Sequence, residues 1–319
     1  MMKPTSLAAR KARELLGVKK VLAASLTALM LPTLYACSDI GRGEKLVTPA
    51  LARMADEDID LTRAHAENTN RLIDPKFVDK VTVVQDEWGI ESARLFFNKS
   101  HTLFVAENSD AAKLRSASIA IAQRAPMVVY DDSNRSEILR LVDDIGAGLV
   151  VTVGDVPFAD TFHPGHEHEH QFVHDPGNTK ALGEYTAYSF TSKVIADPAR
   201  MVEEVARLDA NDRFELKAAW QPLPQEITHE KMPAIPGQTR RDGQMAPNIV
   251  ATAQTPLVNV ANANAYGGSI LLMPDPDPTA TKVGAAMVIG LENGPVVALG
   301  PEFGQPKEFS EKIAQGWQE

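Results

Sequence analysis

The strongest constraint on this chain is a run of short Val-rich segments that alternate with stretches of helical length. VTVV (81–84), TLFVA (102–106), PMVVY (126–130) and LVVTVG (149–154) are separated by stretches that read as helices near 89–98, 110–124 and 133–145. Near-continuous apolar strands spaced by helices predict βαβ crossovers and a parallel sheet, covered on both faces by helices. The pattern predicts the α/β class, built from Rossmann-like parallel-sheet units.

The order recurs further on. NIVATA (248–253), SILLMP (269–274) and PVVALG (295–300), with helices near 256–266 and 277–287 between them, follow the sequence of elements over 102–154. Ala125–Asp131 aligns with Gly268–Pro274, and Val150–Asp155 with Val296–Pro301. Two tandem similar repeats are therefore expected. A His-rich loop, a helical stretch around 198–219 and a linker containing Pro222, Pro224, Pro233, Pro236 and Pro247 would separate them. The expected division is 48–178 for a first α/β unit with its N-terminal helix and His-rich loop, 179–247 for the helical and Pro-rich connector, and 248–319 for a second α/β unit.

Residues 81–156 resemble the type 2 cell-wall-binding repeat of Gram-positive surface proteins. The resemblance is carried by the turn Asn108-Ser109-Asp110, the apolar strand Arg124-Ala125-Pro126-Met127-Val128 and the strand end Val153-Gly154-Asp155. GGSILLMPDPDP and VVALGPEFG match the family more loosely in the second half. The resemblance implies an α/β module that occurs in multiples and docks on cell-envelope polymer without catalysis. Asp86-Glu87-Trp88 stand where the family carries basic and Tyr residues, which argues against an anionic wall polymer as ligand.

The front of the chain reads as an address. A basic segment, residues 1–20, precedes an apolar run of 16 residues, Val21–Ala36, after which the chain turns polar. Sixteen residues would span roughly 24 Å as a helix, short of the roughly 30 Å hydrocarbon core, so a signal peptide (1–36) is expected rather than a permanent span. The chain's single cysteine ends this run in Leu34-Tyr35-Ala36-Cys37, which resembles the bacterial lipobox. That resemblance implies lipid attachment at Cys37, a lipidated tether over 37–47, and a protein anchored on the extracytoplasmic face of the cell membrane. Acyl chains add about 0.8 kcal/mol per buried CH₂. One cysteine excludes an internal disulfide.

Charge narrows the partners. Six cations against Glu14 give residues 1–36 a net +5, which leaves −15 for the rest of a chain whose total is −10. An acidic body without a basic patch excludes nucleic acid as an expected partner. The partners expected are the membrane, through the anchor, and cell-wall polymer or another envelope protein.

Two constellations could carry chemistry. His163, His166, His168, His170 and His174 fall within twelve residues, interleaved with Glu167 and Glu169. Imidazole and carboxylate together suit a divalent transition metal such as Zn²⁺ or Cu²⁺. Flanking Pro164-Gly165 and Pro176-Gly177 break the helix a peptidase HExxH motif needs, so only loose metal binding is expected, and no resident cofactor. The second constellation is the set of strand ends where an open parallel sheet binds ligands: Glu107-Asn108, Asp131-Asp132, Gly154-Asp155, Thr255, Asp275 with Asp277, and Gly300 with Glu302. Of these, Asn108, Asp131, Asp132, Gly154, Asp155, Asp275, Asp277 and Gly300 are the candidate ligand contacts. Their carboxylates favour hydroxyl-rich or cationic ligands over phosphates. Phosphate-binding glycine motifs and nucleophile motifs such as GxSxG and SxxK are missing, so a non-catalytic envelope-binding lipoprotein is expected. A metal-binding lipoprotein and a wall hydrolase are the alternatives.

Overall fold

The computed structural model describes residues 59–157, 170–224, 232–237 and 242–318. Cys37 and the expected signal peptide and tether lie outside these residues. In chain order the elements are α1 (Leu61–Thr69), β1 (Val81–Val83), α2 (Ile90–Phe96), β2 (Thr102–Ala106), α3 (Asp110–Gln123), β3 (Met127–Val129), α4 (Arg135–Ile145), β4 (Leu149–Val153) and β5 (Gln171–Asp175). They continue as α5 (Thr179–Thr186), β6 (Thr191–Ile195), α6 (Met201–Ala206), β7 (Phe214–Ala218), β8 (Asn248–Ala251), α7 (Leu257–Tyr266), β9 (Ile270–Leu272), α8 (Lys282–Val288), β10 (Val296–Ala298) and α9 (Pro306–Gln315). The chain is α/β, and every strand pairing among the described residues is parallel.

Three sheets result. The first has the order β3-β2-β4-β5, the second β9-β8-β10-β1, and the third is the pair β6-β7. Every residue of β2 and β4 is buried, as expected of central strands covered on both faces. The first two sheets share a strand order: a central strand (β2 or β8) leads through its crossover helix to one neighbour (β3 or β9), with a later strand (β4 or β10) on the other side.

The pairing differs from expectation in one respect. Residues 81–154 do not form one sheet, because β1 leaves the strands that follow it and pairs with β10, Val81 opposite Val296 and Val83 opposite Ala298. The physical reason lies at the edges of the first sheet. Beside β4 the edge is filled by β5, and at β3 the Met127 peptide is taken by the Asn262 side chain (N–H to Oδ1 2.8 Å, Nδ2 to carbonyl 2.9 Å) while the Val129 N–H reaches Trp88 O. The His-rich stretch, expected as a loop, ends in strand β5, whose alternation is masked in sequence by the flanking Pro and Gly. The helical stretch expected around 198–219 is short: α6 ends at Ala206, an Asp209-Asn211 turn follows, Arg213 takes a left-handed φ of 50°, and the chain re-enters as β7.

Helices α3, α6 and α7, the crossovers of the three sheets, pack against one another at the centre. All ten residues of α7 are buried. Its three asparagines satisfy backbone that other elements leave open: Asn259 donates to Asp86 O and Leu299 O, Asn262 to Gly89 O and Met127 O, and Asn264 to Val205 O, Ala206 O and Leu208 O at the end of α6. Nearby, Phe77, Phe96, Phe97 and Tyr266 form an aromatic cluster, with Phe96 and Tyr266 centroids 5.3 Å apart.

Candidate functional site

In the first sheet, β2 hands its crossover to β3 on one side while β4 lies on the other. The carboxyl ends of β2 and β4 therefore flank the crevice in which open α/β sheets bind ligands. A cleft of about 660 Å³ opens there, lined by Glu107 and Ser109 after β2, Gly154, Asp155 and Val156 after β4, His174 and Asp175 at the end of β5, and the segment Gln221–Pro224. Its size is in the range of small-molecule sites.

Its chemistry is set by close packing at one glycine. Gly154 has φ +81°, and a Cβ there would lie 2.4 Å from Glu107 Oε2, so the carboxylate of Glu107 rests against the bare backbone. The Asp155 N–H donates to the same oxygen at 3.1 Å. The first turn of α3 offers little to an anion. Its Ala112 N–H is capped by Ser109 Oγ, and its Asp110 N–H is taken by Gln221 Oε1 at 2.9 Å. Trp220 Nε1 donates to the Asp110 carboxylate at 3.0 Å, so residues 220–221 strap the helix end. Among the described residues the lining contains carboxylates, hydroxyls and one imidazole, and no Lys or Arg.

The matching crevice of the second sheet, between β8 and β10, is filled by the chain itself. Glu302 accepts hydrogen bonds from the hydroxyls of Thr252 (2.9 Å) and Thr255, against Gly300, where a Cβ would collide with the carboxylate.

The candidate ligand residues are therefore dispersed. Gly154 and Asp155 line the cleft. Asn108 is exposed at the end of β2. Asp131 and Asp132 belong to the turn before α4: Asp131 accepts from the Ser133 N–H and hydroxyl, which hold its carboxyl below the usual range, and Asp132 accepts from the Tyr130 hydroxyl. Asp275 and Asp277 lie after β9, where Asp275 accepts from the Asp277 N–H. Burial raises the Asp277 carboxyl, but the Thr279 hydrogen bonds and Lys312, at 3.2 Å, outweigh it and set it below its ordinary value. Gly300 is buried under Glu302.

The histidines are also placed apart. His170 contacts Ala147 O through Nδ1 (2.8 Å) and Asp143 through Nε2 (3.0 Å), whereas His174 Nδ1 meets Thr152 Oγ1 at 3.1 Å beside the cleft. His163, His166 and His168 lie outside the described residues. Among the described residues no three His, Cys, Asp or Glu side chains group around one metal position.

Sequence reasoning missed the charged cluster behind the cleft. Arg115 of α3, 2% exposed, binds Asp175 at the end of β5 (Nη2 to Oδ1 2.9 Å) and Glu215 of β7. Tyr185 donates to Asp175 at 2.8 Å, and Thr179, Ser192 and Lys217 converge on the second oxygen of Glu215. Burial alone would lower the Arg115 pKa, but the hydrogen bond and charge of Asp175, supported by Tyr185 and Glu215, hold it above its ordinary value. Burial, reinforced by the charge of Asp175, pushes the Tyr185 hydroxyl well above its ordinary value. The available signal was Arg115 on the stripe Ala111, Arg115, Ile119: a charge on a buried helix face requires an acid from elsewhere.

No helix among the described residues is long and apolar enough to cross a membrane. No family model matches the chain, and no curated protein is a significant relative. Among solved structures, Cwp6 from Clostridium difficile is similar over 73% of this chain and 48% of its own, with 10% identity and a TM-score of 0.40, so the chain spans about half the length of that structure.

Proposed function

We propose that the chain is an exported lipoprotein, held by acyl chains on Cys37 at the extracytoplasmic face of the cell membrane, whose ectodomain is a non-catalytic module binding cell-envelope polymer. The observation that carries the ligand class is the cleft between β2 and β4. It presents Glu107 and Asp155 with hydroxyls and an imidazole, its described lining has no cationic side chain, and the donors of the adjoining helix end are already used. Such a lining selects hydroxyl-rich or amine-bearing glycan and repels phosphate-rich polymer. The anchor and export reading is supported by the sequence of residues 1–37.

Calorimetric titration tests the cleft, with amino-sugar-containing wall glycan fragments as one probe and phosphate-rich wall polymer as the other. The amino-glycan is expected to bind and the anionic polymer to fail. Glu107→Gln combined with Asp155→Asn should weaken the amino-glycan by about tenfold, in keeping with the loss of charge-assisted hydrogen bonds. Tighter binding of the anionic polymer would overturn the ligand class. Release of reducing ends or amines from wall by the protein would replace the module with a hydrolase. Radiolabelled palmitate should incorporate into the native chain and not into Cys37→Ser, and equal labelling of the two would sink the anchor.

A further inference from the structure

The third sheet is short of a strand. In the first sheet the free side of β2, the strand that starts the crossover, carries β4; in the second the free side of β8 carries β10; both additions are parallel and Val-rich, LVVTV and VVA. The third sheet has the same β6-α6-β7 crossover, and its helix packs with the other two at the centre, yet the corresponding side of β6 carries no strand among the described residues.

The hydrogen bonds of that edge are available. The Thr191 N–H donates to Arg213 O and Ile195 O accepts from the Ala219 N–H, so Thr191, Lys193 and Ile195 face β7 and the peptide groups of Ser192 and Val194 face outward. Val194 is 63% exposed, one of few large apolar side chains so placed. It borders a pocket of about 280 Å³ with Ala218 and Ala219, which shares Gln221, Pro222 and Leu223 with the lining of the cleft. The lysine that could guard such an edge is turned away: Lys193 Nζ is 2.6 Å from Glu204 and lies over the Phe214 ring. Two other outer edges are closed, that of β7 by Ser118 Oγ on the Leu216 N–H and that of β3 by Asn262.

We propose that β6 is a strand-addition site for an extended segment of another protein, running parallel to β6, apolar at alternate positions and neutral or basic overall, with one side chain seated in the pocket beside Val194. Main-chain bonds would supply affinity and the pocket specificity. Charge selects the occupant, since residues 37–319 carry −15 and repel an acidic partner. A second copy is disfavoured on the same ground. Across a two-fold axis it would also pair β6 with its copy antiparallel, Lys193 opposite Lys193, whereas every pairing among the described residues is parallel. Of the described residues that follow β7, Gln221 accepts from the Asp110 N–H and the Ile235 N–H donates to Tyr185 O. The main-chain groups of the β6 edge take no part in the cleft chemistry at Glu107 and Asp155.

The probe is the peptide Lys-Lys-Leu-Val-Val-Thr-Val-Lys-Lys, which carries the strand that fills the equivalent seat of the first sheet, read by fluorescence anisotropy. Saturable binding is expected, weakened about tenfold by N-methylation of two alternate core amides, which leaves its charge unchanged, and about fivefold by Val194→Pro, which removes one outward donor. Equal binding of the methylated peptide, or no binding, overturns the proposal. Circular dichroism reports whether Val194→Pro folds. If it does not, amide exchange in the unaltered chain decides: the Ser192 and Val194 amides should exchange freely alone and slow with peptide. Protection in the dilute chain without peptide would mean that its own segment covers β6, and protection appearing only with dimer by sedimentation would mean that a second copy does. Either result overturns the proposal.

Discussion

At the scale of single residues, the fold depends on amide side chains standing in for missing backbone partners. Asn262 closes both the N–H and the C=O of Met127 at the open edge of β3 and also holds Gly89 O, all fully buried. An unpartnered buried polar group costs about 1–3 kcal/mol, so Asn262→Leu should destabilise the protein by about 3 kcal/mol in urea unfolding, with an unchanged slope if the denatured state is unaffected. A loss below about 1 kcal/mol would mean that water takes over the bonds and that the side chain does not seal the edge. The helix bearing Asn262 was legible from its apolar content and from Pro256 and Gly267 at its ends. Its partners were not, because the three asparagines reach residues 86–89, 127, 205–208 and 299, and nothing in LVNVANANAY specifies carbonyls so distant in sequence.

Between elements, the cluster of Arg115 with Asp175 and Glu215 joins α3 to the last strand of the first sheet and to β7 of the third. Removing one member of a buried ion pair costs about 3–5 kcal/mol because it strands the others, whereas replacing all members by neutral groups costs much less. Arg115→Met should therefore lose that much stability, and Arg115→Met with Asp175→Asn and Glu215→Gln should recover most of it. A triple variant no more stable than the single one would show that Arg115 acts by volume alone. The strands β1 to β4 and β8 to β10 were readable to within a few residues from Val runs, proline stops and glycine ends, whereas β5 read as loop and β7 as part of a helical stretch. That Arg115 meets Asp175 sixty residues on and Glu215 a hundred residues on was not readable, since periodicity reports which face is buried and not what lies against it.

On the scale of the whole molecule, chain order and spatial order part company. The second sheet takes its edge strand, β1 (Val81–Val83), from far upstream of β8 (Asn248–Ala251), and α1 packs on α8 through Asn68, which donates to Ala286 O and Ile289 O at 3.1 Å. A sequence that repeats an element order invites division into tandem units, and it conceals a strand that pairs with the later copy. The consequence is testable with fragments. Residues 242–318 contain β8, β9, β10 and their helices but lack β1, and all ten residues of α7 are buried against elements that include α2, α3 and α6. That piece alone would expose the Asn-bearing faces of α7 and leave β10 with an open edge, which small folds do not tolerate. It is expected to show no cooperative thermal transition, while residues 59–318 melt in one. Adding residues 59–99 as a separate peptide should restore part of the β1–β10 pairing, visible as slowed exchange of the Val296 amide, which donates to Lys80 O, but not the full transition, because α3 and α6 would still be missing. A sharp, independent melt of residues 242–318 would instead show that the second sheet is self-sufficient and that β1 is an addition to a unit already complete.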